Sequence, residues 1–458
     1  MTRKMTFVLD VGKSNIKANL FDADGGMHLE RAVRNSVLPA PPYPHVDVAA
    51  LWAFCLASLT EAGRQQTIDA IVVTTHGATG ALIGETDLEL PILDYEFTGV
   101  EAIESSYAML RAPFHDTFSP PLPGGLNLGR QLAWQSLRFE EQFLKARRLL
   151  MYPQYWTWRM TGAALLEATS LGAHTDLWQP RLAAPSSLAR ALGVTGLLPP
   201  MARAYDVAGK LRDNLVAQCG LSSAPDVLVG IHDSNASILP HLASRTPPFT
   251  VVSTGTWVIM FGLGLPYDSL DPQRDQLANI DVEGRPIACA RFMGGREYAA
   301  IMGDVEATPT MEAARGLMQD EVFALPSFVQ GTGPFPTRPG HIEGAVDTPE
   351  GRATLATLYT VLMTDYCLDQ LGARQGDLII EGSFAGNPVY STLLAALRPA
   401  QPVFVSRGAA GASRGAAMLA NWPAAHVLDG DLDRAAQGPF AAEFRAYRNA
   451  WRYRAEKV

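Results

Sequence analysis

Residues 7–14 read FVLDVGKS and residues 250–257 read TVVSTGTW. Each is a β-favouring run that meets a turn built from glycine and hydroxyl side chains. Each leads into a second β-rich run, Asn15–Phe21 in one case and Thr256–Gly262 in the other. At an offset of 243 residues, Val8 and Val251, Gly12 and Gly255, Ile16 and Ile259, and Leu20 and Leu263 are identical pairs. Strands draw on a small alphabet, so four identities alone can arise by chance. A strand, glycine turn and strand opening each half nevertheless predicts two related domains. The breaker-rich HLASRTPP stretch, ending at Pro248, places the boundary between residues 243 and 244. The expected units are therefore 1–243 and 244–458.

Outward from these hairpins, short β runs alternate with amphipathic helices. His28–Val33 reads as a third strand, and Asp47 as the N-cap of a helix with Leu51, Phe54, Cys55 and Leu59 on its apolar face, closed by Gly63. Ile68–Thr74, Asp226–Gly230, Asp377–Glu381 and Pro402–Val405 read as further strands, and Arg352–Leu371 as a long helix. Strands interleaved with helices mean an α/β fold, and the opening hairpins make its sheets mixed.

Composition narrows the function classes. The chain has 458 residues, 37 Lys and Arg against 46 Asp and Glu, and a formal net charge of −9. No basic cluster offsets that charge, which argues against nucleic acid as the partner. The longest uncharged stretch, Thr246–Tyr267, is broken by Pro247, Pro248 and the STGT turn, so no membrane partner is expected. Cys55, Cys219, Cys289 and Cys367 are widely spaced, which suggests neither a zinc ribbon nor a disulfide framework. The N-terminus runs straight into a strand pattern without a secretory h-region, and the expected location is cytoplasmic.

Several turns carry residues fit for chemistry, and each has a plainer reading beside it. Asp10, Gly12, Lys13, Ser14 and Lys17 surround the first turn: glycine admits close backbone approach to a phosphate, Ser and Lys add donors, and a strand-end carboxylate can hold Mg²⁺ through water. Taken alone it is also an ordinary hairpin turn. It is not a Walker A loop, because Phe7 stands where the earlier glycine is needed and a strand follows. Ser253, Thr254, Gly255 and Thr256 can donate to an anion or simply form a polar turn. Asp233, in GIHDSNA at a strand end, can take a hydroxyl proton or cap the next helix. Glu381–Pro388 can leave room for a flat ligand, with Asn387 reading its edge, and Gly408–Gly415 can pack tightly beside it; close helix–strand packing is the plainer reading of each. His76, Trp134, Trp156 and Trp158 are candidate sugar contacts or core residues. HExxH, GxSxG and GxGxxG are lacking.

In this order, LDVGKSNIKANLFDADG, VVTTHGATGALIG, MTGAALLEATSLGAHTDLW, GIHDSNA, VVSTGTW, EGSFAGNP and GASRGAAMLA resemble the FGGY carbohydrate kinases of the actin/hexokinase/Hsp70-like ATPase superfamily, with the L-fuculokinase members most alike. The stretches span residues 7 to 420. The resemblance implies two ribonuclease-H-like (actin-like ATPase) domains around a central cleft. The first would bind sugar and carry the first phosphate loop and the catalytic base; the second would bind ATP. It further implies Asp233 as catalytic base, Asp10 with Asp233 at Mg²⁺, and Gly12, Lys13 and Ser14 in the first phosphate loop. Thr254, Gly255 and Thr256 fall in the second phosphate loop, and Gly382, Gly386 and Asn387 in the adenosine loop with Gly411 after it. His76, Gly77, Asp94, Glu96 and Asp233 fall around the sugar.

The chain departs from the family pattern at Lys13 (commonly Thr), Lys17 (commonly Arg), Glu381 (commonly Gly), Tyr95–Gly99 (lacking the Asp and Arg of an aromatic-x-D-x-R segment) and Gln154 (commonly Asp). The expected activity is transfer of the ATP γ-phosphoryl to a hydroxyl of a ketose, L-fuculose-like or L-rhamnulose-like. The alternatives are a kinase of ribulose, xylulose or glycerol, and a catalytically weak sugar or nucleotide sensor on the same fold. A homodimer is left open as the assembly.

Overall fold

The computed structural model describes residues 5–407, 411–424 and 432–457. They form two compact units. One holds the described residues up to Arg245 with Ala278–Pro286 and 411–424; the other holds Thr246–Leu277, 287–407 and 432–457. Two stretches from the second half of the chain thus cluster with the first unit.

The first unit is built on β1 (Thr6–Val11), β2 (Asn15–Phe21), β3 (Met27–Arg34), β4 (Ala70–Thr75), β5 (Val207–Lys210), β6 (Asp226–Leu228) and the short β7 (Ile231–His232). Their seven-stranded sheet has the order β5-β6-β4-β1-β2-β3, with β7 also on β4. β1 pairs antiparallel with β2 and parallel with β4, so it is central and covered on both faces. That explains its nearly continuous apolar run, in which Asp10 is the exception. Helix α1 (Val48–Gln65) starts where Asp47 accepts the Ala50 N–H at 2.9 Å. It does not close at Gly63: it runs to Gln65, because Gly63 is a packing residue whose Cβ would stand 2.3 Å from Leu221. Helix α2 (Asp233–Ser237) follows β7 directly.

The second unit contains β8 (Phe249–Thr254), β9 (Val258–Leu263), β10 (Gln276–Ile280, whose last three residues cluster with the first unit), β11 (Pro286–Phe292), α3 (Gly294–Met302), α4 (Pro349–Gln370), β12 (Leu378–Gly382), α5 (Pro388–Leu397) and β13 (Val403–Ser406). Next come α6 (Gly411–Met418), which clusters with the first unit, then β14 (Leu432–Arg434) and α7 (Ala441–Lys457). The sheet order is β10-β11-β9-β8-β12-β13-β14. β8 is antiparallel to β9 and parallel to β12, β12 is parallel to β13, and β14 returns antiparallel. In spatial order and direction this repeats β1 with β2, β4, β6 and β5, although β5 precedes β6 in the chain whereas β14 follows β13. The echo between the two hairpins is therefore an echo of topology.

Alternation along β1 sorts its side chains to two faces. Phe7, Leu9 and Val11 join Leu51, Cys55 and Leu59 of α1 in one core layer. Val8 packs on the other side with Ala236 of α2 and Ala416 of α6. Asp10 shares the parity of Val8 and so looks toward α2 and α6. Among the described residues, no helix is long and apolar enough to cross a membrane.

Two fully buried glutamates leave a pH signature. Burial pushes Glu167, in the first unit, up to about 7 against the hydrogen bonds it takes from Thr169 and Ser170. It does the same to Glu297 of α3, despite the Tyr359 hydroxyl and the Phe328 N–H. For a carboxyl whose folded value is raised, the stability it contributes is complete below its ordinary value and is lost as pH climbs through the folded one. Thermal midpoints should therefore fall between about pH 5 and pH 8 through these groups. Glu297→Gln keeps an acceptor for Tyr359 and removes the charge. Its midpoint should exceed the parent's at pH 8 by at least about 2–4 °C, the size of a 1 kcal/mol effect in a unit of this length, and match it at pH 5. Equal midpoints at pH 8, read by calorimetry, would show that the carboxyl ionises in the folded protein at its ordinary value, without a burial cost.

Candidate active site

The first unit brings most of the expected residues together. Asp10 is largely buried, and Ser413 Oγ of α6 donates to its Oδ2 at 2.5 Å. Burial drives this carboxyl up to about 6; Ser413 opposes the rise, the charge of Asp233 adds to it, and Lys17 offsets part of it. Asp233 is the first residue of α2, not the residue that caps it. Its Oδ1 accepts the Ser234 N–H at 2.6 Å and the Ser234 hydroxyl at 3.2 Å, and lies 3.3 Å from His232 Nε2. His232 is itself fixed by Asn235, whose Oδ1 is 2.7 Å from the ring Nδ1 and whose amide donates to the Ile280 carbonyl. Gly77 makes room for this imidazole, since a Cβ there would stand 2.8 Å from His232 Nε2.

The first turn is tight. Gly12 N–H reaches the Asn15 carbonyl at 3.0 Å, and the Asn35 amide donates to the Gly12 carbonyl at 2.8 Å. Ser14 is exposed at its tip. Lys13 turns to the Asp94–Glu96 segment: its ammonium pairs with Asp94 Oδ1, lies 3.3 Å from Glu96 Oε2 and sits 4.8 Å from the centre of the Tyr95 ring. Here lies a narrow recess with room for little more than one water molecule, about 10 Å³. Lys13, Asn35, Ser36, His76, Thr79, Asp94 and Tyr95 supply its polar lining, and Val37, Val46 and Leu93 an apolar side. Glu96 stands at its edge, its side chain 62% exposed. Burial lowers the basicity of His76, partly offset by the Gly77 carbonyl at 3.0 Å and by the Asp233 charge. That carbonyl holds a proton on Nδ1 and leaves Nε2 as an acceptor. The charge of Asp233 also reaches Tyr95, so this acid is electrostatically linked to the recess.

In the second unit, the β8–β9 turn and the loop after β12 are locked to each other. The Thr254 hydroxyl accepts the Phe384 N–H at 2.9 Å and donates to the Glu381 carbonyl. Gly382 has φ +80°, and a Cβ there would lie 1.9 Å from the Thr254 carbonyl oxygen, so no other residue fits. Gly386 faces open space, and at Gly255 the nearest atom to an added Cβ is 3.9 Å away. Thr256 is exposed beside them. The Asn387 amide is already committed, its oxygen to the Val389 and Tyr390 N–H groups at the start of α5 and its nitrogen to Thr357.

Gly411 opens α6 in the first unit, 3.5 Å from Ser237 for an added Cβ; Gly408, Ala409 and Ala410 lie outside the described residues. Trp134 and Trp156 are core residues and Trp158 is half-buried against the core. Ser413, Thr79 and Asn35 join the site without having been singled out as contacts. A signal existed for Ser413 alone, as a hydroxyl inside an otherwise small and apolar helix start.

Among the described residues, no group of three or more His, Cys, Asp or Glu side chains is gathered to hold a metal. The Asp10 and Asp233 pair nonetheless suits a hard divalent cation bound largely through water: two oxygen donors of like charge, one of them buried and short of positive charge.

A family profile described as "Carbohydrate kinase FGGY, C-terminal domain" matches residues 246–427. An L-fuculokinase of Haemophilus influenzae is 25% identical over 280 residues, which cover 56% of this chain and 57% of that one. The match thus spans little more than half of that curated relative. The crystal structure of a carbohydrate kinase from Novosphingobium aromaticivorans superposes with a TM-score of 0.90 at 33% identity, covering 98% of this chain and 100% of the other. A ligand-bound xylulose kinase from Lactobacillus acidophilus, at 14% identity and a TM-score of 0.83, shares the two-domain fold.

Proposed function

Because the chain belongs to the FGGY carbohydrate kinases, we propose that it transfers the γ-phosphoryl of ATP to a hydroxyl of a ketose, with methyl-ended ketoses such as L-fuculose or L-rhamnulose preferred. The observation that carries this reading is the parallel register of β7 on β4, His232 beside Thr75, which sets Asp233 and the recess-lining His76 at neighbouring strand ends. An acid beside a polar recess can accept the proton of an attacking hydroxyl. The apolar side formed by Val37, Val46 and Leu93 supports the methyl-ended subset, because a methyl gives up less hydration there than a hydroxyl does.

The residues divide the work. His76 Nε2 and the Asp94 carboxylate accept from sugar hydroxyls, which orients the acceptor. Asp233 Oδ1 is held by Ser234, which leaves Oδ2 for the hydroxyl proton as the oxygen attacks phosphorus. Asp10 and Asp233 would hold Mg²⁺, and that ion, when bound, offsets phosphate charge. In the second unit the open approach at Gly255 and Gly386 suits phosphate and adenosine, with the Thr256 hydroxyl as a donor. Thr254 acts there as a strut between the two loops. Phosphoryl transfer asks mainly for such positioning and charge stabilisation.

The test is ADP release with Mg·ATP across ketoses, aldoses and polyols, including a methyl-ended ketose paired with its hydroxymethyl counterpart. Sugar-dependent ADP release is expected, with kcat/KM about 10–200-fold higher for the methyl-ended member. Equal values within the pair would remove the methyl preference alone. Failure of every acceptor to stimulate turnover while ATP binds would overturn the kinase reading in favour of a sensor.

A further inference from the structure

Lys13 lies in the turn that follows β1, beside the residues assigned to phosphate, yet its side chain is engaged elsewhere. Its ammonium pairs with Asp94, a carboxylate only 11% exposed, and also approaches Glu96 and the face of the Tyr95 ring. The contact with exposed Glu96 is worth little, because solvent screens it. The contact with Asp94 is the one that matters. To reach a phosphate, Lys13 would have to leave a largely buried carboxylate without its counter-charge. The turn itself is tied down on the recess side, since Asn35, another lining residue, holds both the Gly12 carbonyl through its amide and the Ser14 carbonyl through its N–H.

We propose that Lys13 is a specificity-determining residue of the acceptor pocket and not a phosphate ligand, an inference that rests on reading this recess as the sugar site. Asp94 Oδ1 takes the Lys13 ammonium and the Glu96 N–H at 3.2 Å, which turns Oδ2 to the acceptor. The ammonium has three donors, of which Asp94 takes one, with Glu96 3.3 Å away as an ion pair. Together Lys13 and Asp94 present one donor and one acceptor side by side, the complement of a vicinal diol. The local charge, two carboxylates against one ammonium, disfavours aldonates and sugar phosphates, so the pocket selects neutral diols.

Lys13→Met and, independently, Asp94→Asn test this, with the best acceptor from the panel and with ADP titrated calorimetrically into each enzyme. Both variants should raise the acceptor KM by about 10–100-fold, the scale of one lost charged hydrogen bond, while ADP affinity stays within about twofold. The double variant should cost little more than either single one, because the two side chains act as one unit. A loss of ADP affinity of about tenfold in Lys13→Met, or an unchanged acceptor KM in both variants, would overturn the assignment. If the parent turns over no sugar, the kinase reading falls by itself. Calorimetric binding of the same sugars then decides on Lys13: weakened binding in the variants supports it, and unchanged or absent binding overturns it.

Discussion

Asp233→Asn should reduce sugar-dependent phosphoryl transfer by about 10²–10⁴-fold while leaving ADP affinity within about twofold of the parent. The substitution is nearly isosteric. The Asn oxygen can still accept from the Ser234 N–H, which Asp233 Oδ1 accepts at 2.6 Å, so the start of α2 keeps its geometry. What disappears is the acceptor on Oδ2 that a hydroxyl proton requires. The side chain is 27% exposed, so its loss leaves no uncompensated buried charge. The comparison needs coupled ADP release at saturating nucleotide, thermal midpoints to show equal folding, and ADP titration. Turnover above about a tenth of the parent's would remove Asp233 as general base, whatever its position.

Gly415→Ala should be the most damaging small change in the first unit. Gly415 lies on α6 where that helix crosses α2, and a Cβ would stand 1.8 Å from the Ala236 carbonyl oxygen. Backbone cannot yield as a flexible side chain can, so the two helices must separate. Overpacking of this kind costs about 1–3 kcal/mol. The consequence reaches the site, because α6 carries Ser413, which holds Asp10, and α2 begins at Asp233. Stability and turnover should therefore fall together, turnover by more than tenfold. Gly411→Ala is the internal control: its Cβ would lie 3.5 Å from Ser237, an ordinary contact, and alanine favours helix, so its stability should match the parent's within about 0.5 kcal/mol. A Gly415→Ala variant as stable and active as the parent would show that the crossing of α2 and α6 has slack.

Much of this was legible without coordinates. The two hairpins, the mixed α/β character and the strand-end position of Asp233 follow from alternation, from glycine in tight turns and from breakers between runs, all of which are local. That His76 and Asp94 line one recess was likewise within reach, since motif order grouped them. Local pattern was weaker where one side chain had two uses. Gly63 reads as a helix stop and is a contact for Leu221. Asn387 reads as a ligand contact and caps α5, and Thr254 reads as a phosphate donor and spans two loops.

The sequence by itself determined that the chain has two related α/β halves, each opening on a strand, a glycine turn and a strand, and that an acid stands at the end of a strand in the first. These properties depend on neighbours a few residues away. Only the tertiary structure decided what Lys13, Ser413 and Gly415 do. Lys13 meets its carboxylate 81 positions along the chain and Ser413 meets Asp10 across 403. Gly415 must be glycine because a helix from far earlier in the chain passes within contact distance. An ammonium, a hydroxyl or a missing side chain carries no mark of its partner; the partner is supplied by the sheet order that brings distant strands and helices side by side.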